Sequence, residues 1–164
     1  MSTTPALSWS PEDPALGAHL AKSAVAGIQS EGVVATVKHY VLNNQEQNRN
    51  TVSVTVDERT FMELYFPPFQ GAIDAGVGAV MCSYNLINGT HACGNNATLN
   101  KYLKEVGGFD GFVMSDWDAT HTPGRSPPPL ATDNLLEHTD GVLRPPHQSF
   151  SVLSGRQPAT FYLC

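Results

Sequence analysis

The sequence has little positive charge and no long apolar run. Nine Lys and Arg residues stand against 15 Asp and Glu residues, which gives a formal net charge of -6. This balance argues against the basic surface that nucleic acids and anionic membranes attract. The longest apolar stretches have only the length of a strand, far below the roughly 20 residues of a membrane-spanning helix. We therefore expect neither a nucleic-acid partner nor a membrane partner.

Cysteine is also scarce. The chain has three cysteines, Cys82, Cys93 and Cys164, and contains neither a CxxC motif nor a Cys/His cluster with zinc spacing, so we expect no metal site. Between Cys82 and Cys93 lies Asn88-Gly89, a turn dipeptide that could bring the two sulfurs together. Two independent buried thiols fit the local sequence equally well.

The signals for a cellular compartment disagree. Two acceptor sequons, at Asn88 and Asn96, would be N-glycosylated only in a secreted protein. With the cysteine pair, they favour an oxidising compartment for the parent sequence. The first residues, Met-Ser-Thr-Thr-Pro, have no cationic region and no apolar run, so no secretory signal is predicted for this chain. Its location is therefore left open.

Proline is concentrated near the C-terminal end. Residues 123–164 hold seven of the 12 prolines and show no sustained helical or alternating pattern. We therefore predict a body over residues 1–121 and a separate, disordered Pro-rich tail over residues 122–164.

Within the body, helical and strand patterns alternate. Leu16, Leu20, Ala24 and Ile28 form one helical stripe, and Thr55 and Glu58 have the spacing of a capping box. Three helices are predicted: one over 15–30, one that begins at Thr55 or Asp57 and kinks or restarts at Pro67-Pro68, and one over 98–106. Three strands are predicted, over 33–37, 79–83 and 111–115. Strands that alternate with helices imply a parallel sheet, so the predicted class is α/β.

Each predicted strand ends in polar or aromatic residues: 38–40 (KHY), 83–85 (SYN) and 115–117 (SDW). Because the carboxyl ends of parallel strands converge on one crevice, we expect these residues to share a site. Cationic and carboxylate groups can bind hydroxyls there, while an indole packs on the apolar face of a sugar. By spacing alone, however, Asp116 is more simply interpreted as a carboxylate that caps the following turn.

Several longer motifs occur in the order in which they occur in one protein family. From Glu12 to His121, about two thirds of the chain, the sequence resembles the N-terminal barrel domain of family 3 glycoside hydrolases, the β-glucosidase and β-xylosidase group. The matching passages, in order, are 12–14 (EDP), 27–30 (GIQS), 32–39 (GVVATVKH), 44–46 (NQE), 57–59 (DER), 67–69 (PPF), 80–85 (VMCSYN), 88–89 (NG) and 108–117 (GFDGFVMSDW). Because a (β/α)8 barrel normally needs about 250 residues, the resemblance implies a partial barrel fragment.

The resemblance implies a role for each matching residue. Asp116 matches the catalytic nucleophile of the family. Lys38 and His39 match the pair that binds sugar hydroxyls next to the scissile bond, Tyr84 matches a tyrosine that can donate a hydrogen bond to the nucleophile, and Trp117 matches the aromatic wall of that subsite.

Three further expectations follow from the same resemblance. Arg49 and Met81 lie in matched passages and are expected to border the pocket. Cys82 and Cys93 are expected to form a disulfide, as in many secreted relatives. No metal or organic cofactor is expected, because carboxyl groups alone can carry out the chemistry.

The function implied is hydrolysis of O-glycosidic bonds that releases β-D-glucose from the non-reducing end of a β-glucoside or short β-linked oligosaccharide, by a retaining mechanism. Such a mechanism needs a second carboxyl group about 5 to 5.5 Å from the nucleophile, which the family supplies from a later domain. The alternative is therefore an inactive fragment that retains some carbohydrate binding. Glucosidase and xylosidase specificity are not distinguished. Since strands cut from a barrel leave open edges, we also expect marginal stability.

Overall fold

The computed structural model describes residues 12–121, together with the backbone of residues 142–143 and 161–163. Helices alternate with strands along the described chain. The elements are α1 (Pro14–Ser30), β1 (Val34–Tyr40), β2 (Ser53–Val54), α2 (Glu58–Thr60), a π-helical turn (Phe61–Tyr65), α3 (Pro67–Asp74), β3 (Ala79–Cys82), β4 (Leu86–Ile87), β5 (Thr90–His91), a 3-10 turn (Ala92–Gly94), a π-helix (Ala97–Val106), β6 (Phe112–Ser115), β7 (Val142–Leu143) and β8 (Phe161–Leu163).

The main sheet has five parallel strands in the order β7-β6-β3-β1-β8. Val37 of β1 lies beside Val80 of β3, and Val80 lies beside Val113 of β6. All four residues of β3 are buried, as is typical of a parallel strand that is covered on both faces. The predicted α/β class with a parallel sheet is confirmed, and the ends of β1, β3 and β6 lie along one edge.

β1 is longer than predicted. It continues past Val37 to Tyr40, because Lys38 still lies beside Met81 of β3 and Tyr40 still pairs with that strand. The pairing skips His39, so the strand carries a bulge at this position. Bulges redirect side chains near functional sites, and this one lies at the edge where the three polar segments meet.

A second, three-stranded sheet consists of β2, β4 and β5. Its β4–β5 hairpin turns at Asn88 and Gly89, whose φ angles are 49° and 84°, as a tight turn with two left-handed residues requires. The side-chain amide of Asn88 fixes the turn: Oδ1 accepts from the backbone N–H of Val56, and Nδ2 donates to the carbonyl of Val56, both at 3.2 Å. The disulfide between Cys82 and Cys93, with a Cα–Cα distance of 5.2 Å, confirms the expected pairing.

The helix α1 is confirmed, but the stripe expected on it is not its buried face. Its buried residues are Gly17, Ala21 and Val25, whereas Leu16 and Leu20 are 50% and 48% exposed. The reason is close packing: α1 lies against α3, and small residues let two helix backbones approach. Gly71 of α3 faces the backbone of Ala18 of α1 so closely that a Cβ has no room.

Of the two predicted starts of the middle helix, Thr55 and Asp57, the structure has the second. Asp57 is the N-cap and its carboxylate accepts a hydrogen bond from the backbone N–H of Thr60, so the expected Thr55–Glu58 box is replaced by an Asp cap. The chain then passes through the π-helical turn and restarts as α3 at Pro67, where a missing N–H costs nothing. This restart confirms the prediction for the proline pair.

Two short segments of the predicted tail have a described backbone. β7 pairs with β6, and β8 pairs with β1. Apart from these strands, the expectation of a disordered tail over 122–164 falls on residues outside the described ones. Among the residues that the structure describes, no helix is both long and apolar enough to cross a bilayer.

We predict that Gly71→Ala destabilises the fold. The added methyl group overlaps the backbone of Ala18, and overpacking of this kind costs about 1–3 kcal/mol, so the urea midpoint should fall. Gly27→Ala is the matched control, because a Cβ there meets no atom within 4 Å and alanine is favoured in helices. A midpoint that falls equally in both variants would contradict the packing argument.

We also predict that loss of the Cys82–Cys93 bond destabilises the chain by about 3 kcal/mol, as chain entropy suggests for a closed loop of this size. The double variant Cys82→Ser, Cys93→Ser should unfold at a lower urea concentration than the oxidised chain. Adding dithiothreitol should shift only the chain that retains both cysteines. An equal shift in the double variant would show that the reductant acts elsewhere.

Candidate active site

Asp116 directly follows β6 and is fixed by its backbone. Its N–H donates to the carbonyl of Cys82 at 3.2 Å, and its own carbonyl accepts from the N–H of Ala119 at 3.0 Å. The first bond extends the β3–β6 ladder by one residue. Asp116 is only 6% exposed, so the interpretation of this residue as a surface turn cap does not hold.

His39 contacts the carboxylate of Asp116. Its Nε2 lies 3.1 Å from Oδ2 of Asp116, and the peptide bond that joins it to Lys38 is cis. The bulge in β1 and the end of β6 thus bring together two residues that are 77 positions apart in the sequence. The His39 side chain is 21% exposed, so the site opens to solvent on this side.

Tyr84 is a second neighbour of the carboxylate, and the residue is 8% exposed. Burial, together with the charge of Asp116 and hydrogen bonding to it, raises the pKa of Tyr84 to about 12. The phenol therefore stays protonated at neutral pH and acts as a donor.

The surroundings of Asp116 favour its charged form. Burial raises the pKa of this carboxyl, but the hydrogen bond and charge of His39, the hydrogen bond from Tyr84 and the charge of Lys38 outweigh that effect and hold its pKa below the usual range. A buried carboxylate that is ionised and held by two side chains is suited to nucleophilic attack.

Arg49 lies beside Tyr84. Its guanidinium carbon is 4.5 Å from the centre of the Tyr84 ring, and its Nη1 is 3.1 Å from Oε2 of Glu46. The positive charge of Arg49 partly opposes the rise in the pKa of Tyr84. The structure thus brings Arg49 to the site, in contact with a residue that touches Asp116.

The other two predicted pocket residues differ in exposure. Met81 is 5% exposed and lies in β3 between Lys38 of β1 and Met114 of β6, so it belongs to the floor formed by the sheet. Trp117 is 69% exposed and follows Asp116 directly. Its indole is available to a ligand, and its part in an aromatic wall remains a prediction.

Sequence reasoning missed residues that surround the site. Asn85 is completely buried, whereas in the sequence it stands out only as the last residue of the 80–85 (VMCSYN) motif. The rings of His91 and His121 are stacked with centres 3.9 Å apart, which joins the β4–β5 hairpin to the segment after Asp116. An asparagine within the polar segment that follows a strand is a signal that sequence analysis can find, whereas the contact between two distant histidines is not.

The two sequon asparagines, Asn88 and Asn96, are both exposed. Nδ2 of Asn88 donates to a backbone carbonyl, while Oδ1 of Asn96 accepts a hydrogen bond from Asn100. Glycosylation of either residue remains a prediction. Within residues 12–121, no group of three or more His, Cys, Asp or Glu side chains could hold a metal ion.

Comparison with known proteins identifies the same family. Residues 5–124 match the model of the glycosyl hydrolase family 3 N-terminal domain. The chain is 51% identical over 123 residues to the probable beta-glucosidase A of Aspergillus clavatus, a match that covers 67% of this chain but only 14% of that protein.

Two solved structures are also similar. The beta-D-glucoside glucohydrolase of Trichoderma reesei is 52% identical with a TM-score of 0.66, over 67% of this chain and 16% of that one. DesR, a beta-glucosidase from Streptomyces venezuelae solved with D-glucose, is 46% identical with a TM-score of 0.66, over 69% of this chain and 14% of that one. This chain thus spans about one seventh of the length of these relatives.

We predict that Asp116→Asn removes part of the pH dependence of folding. A carboxyl whose pKa is lowered in the folded state stabilises the fold above its unfolded pKa, and this contribution is lost as the pH falls through the folded pKa. In urea titrations from about pH 3 to about pH 7, the variant should therefore show a weaker rise in the free energy of unfolding. Asp110→Asn, at an exposed position, is the control. An identical rise in wild type and Asp116→Asn would contradict the assignment.

Proposed function

Because this chain belongs to glycosyl hydrolase family 3, we propose that it carries the nucleophile and part of the sugar subsite of a retaining β-glucosidase. The observation that carries the proposal is the state of Asp116: a buried carboxylate that is paired with His39 and stays ionised at the carboxyl end of a strand in a parallel sheet. In most retaining glycosidases the nucleophile is a carboxylate.

The proposed reaction has two steps. First, a carboxylate oxygen of Asp116 attacks the anomeric carbon and forms an ester, while the bond from that carbon to the aglycone oxygen breaks and the oxygen takes a proton from an acid, which in this family is a carboxyl group of a later domain. Then water attacks the anomeric carbon and returns a proton to that acid, and the ester bond breaks, which releases β-glucose and restores the carboxylate. Tyr84 and His39 fix the orientation of the carboxylate, and the high pKa of Tyr84 keeps the phenol a donor throughout.

The proposed substrate is a β-glucoside or a short β-linked oligosaccharide. The names of the similar proteins support glucose as the sugar, since they are beta-glucosidases and one was solved with D-glucose. Lys38 and His39 are proposed to bind sugar hydroxyls, and the exposed indole of Trp117 to pack on the apolar face of the ring. Arg49 and Met81 border this subsite.

One observation favours a second candidate function, carbohydrate binding without turnover. The side chain within 3.1 Å of the Asp116 carboxylate is the imidazole of His39, whereas cleavage of an unactivated glycoside needs a second carboxyl group that protonates the leaving group. A β-glucoside with a poor leaving group would then bind without being cleaved by this chain alone.

The proposed compartment is extracellular. The Cys82–Cys93 disulfide supports it, because such bonds persist in oxidising environments. In that compartment Asn88 and Asn96 are the proposed glycosylation sites.

The test is labelling with 2,4-dinitrophenyl 2-deoxy-2-fluoro-β-glucoside, whose leaving group departs without an acid. We expect one 2-fluoroglucosyl group per chain, attached to Asp116, as measured by intact mass and peptide mapping. Asp116→Asn should remain unlabelled, and the corresponding galactoside should label more slowly.

Two other results decide between the candidates. If no label forms but saturation-transfer NMR detects D-glucose binding that Trp117→Ala abolishes, the binding function replaces catalysis. If neither labelling nor sugar binding occurs, both functions are excluded for this chain.

A further inference from the structure

Tyr84 lies between two of the most deeply buried polar side chains in the described part of the chain. Ser83 and Asn85 have no exposed surface, although each carries polar atoms. Burial of polar atoms costs free energy unless they are hydrogen-bonded. The hydrogen bonds of these two residues must therefore offset the cost of their burial.

The contacts of Ser83 and Asn85 tie this segment to the end of β1. The N–H of Ser83 donates to the carbonyl of Tyr40 at 2.9 Å, and Nδ2 of Asn85 donates to the carbonyl of Val41 at 3.1 Å. Oγ of Ser83 lies 2.7 Å from Oδ1 of Asn85 and 3.2 Å from the carbonyl of Val41. The hydroxyl of Ser83, the side-chain amide of Asn85 and the carbonyl of Val41 thus form a closed network, in which each group contacts the other two.

Asn85 is also held from the other side. Its backbone carbonyl accepts a hydrogen bond from the N–H of Ala92 at 2.9 Å, beside Cys93 of the disulfide. The position requires a side chain with a donor and an acceptor on one short planar group. Aspartate lacks the donor and serine lacks the reach, whereas asparagine supplies both.

We propose that Asn85 is a positioning residue: through Ser83 and the carbonyl of Val41, it holds the backbone on either side of Tyr84 so that the phenol stays against Asp116. This role deepens the function proposed above and rests on it. Asn85 itself touches neither Asp116 nor the open side of the site, so it acts only through Tyr84.

The experiment measures the pKa of Asp116 by carbon NMR of chain labelled at aspartate carboxyl carbons, with Asp116→Asn used to assign the signal. Tyr84→Phe removes the phenol hydroxyl, which lowers the pKa of Asp116, so the pKa of Asp116 should rise. Asn85→Ala should raise it in the same direction. If both act through one contact, the double variant should show no larger rise than Tyr84→Phe alone.

Asn95→Ala is the matched control. Asn95 is also buried, and its amide bonds two backbone groups, the carbonyl of Ile87 and the N–H of Thr98. Its loss should therefore lower the urea midpoint as the loss of Asn85 does, but without moving the pKa of Asp116. An unchanged pKa in Asn85→Ala, or a rise that simply adds to that of Tyr84→Phe, would overturn the proposal.

A milder variant covers the case in which Asn85→Ala does not fold. Ser83→Ala removes only the hydroxyl and keeps the bond from Asn85 to Val41, so a smaller rise in the pKa of Asp116 is expected, and no rise would count against the network. This readout needs no sugar. Coupling without 2-fluoroglucosyl labelling would refute the proposed function alone, and labelling without coupling would refute the positioning role alone.

Discussion

A buried negative charge must be stabilised by neighbouring groups. The groups that stabilise the charge of Asp116 are brought together where β1, β3 and β6 end. Water is largely excluded from the carboxylate, so burial alone favours the neutral acid. His39, Tyr84 and Lys38 reverse that preference. His39 and Lys38 lie in β1 and Tyr84 follows β3, whereas Asp116 follows β6. The parallel pairing of β1, β3 and β6 is therefore the condition on which the charge, and with it any nucleophilic chemistry, depends.

The constraints that fix Tyr84 are concentrated in the chain just after β3. A disulfide lies on one side of it, at Cys82, and the Ser83–Asn85 network encloses it. The hairpin turn at Asn88 is tied to the segment after β2 through the backbone of Val56. A covalent bond and satisfied buried polar groups both restrict motion, so this segment can hold a tyrosine in place at a loop, where backbones are usually mobile.

Packing between α1 and α3 follows a different rule from the one that periodicity suggests. Leu16 and Leu20 form the more hydrophobic stripe, yet the buried face consists of Gly17, Ala21 and Val25. The buried face has small side chains because α3 contacts α1 through Gly71. Small residues let the two helix backbones pack closely, whereas bulky residues would hold them further apart. A periodic pattern identifies a helix, but which face is covered depends on the shape of the neighbouring helix.

The sequence by itself determined the α/β class, the restart at Pro67 and the presence of polar groups after buried strands, because periodicity, proline chemistry and strand composition act locally. Its motifs also led to the family and, through it, to the Cys82–Cys93 bond. Only the tertiary structure decided that the bulge at His39 brings its ring to Asp116 and that Asn85 closes a network with Val41. These contacts join residues far apart in the chain, and their geometry depends on strand register and burial, which no local pattern encodes.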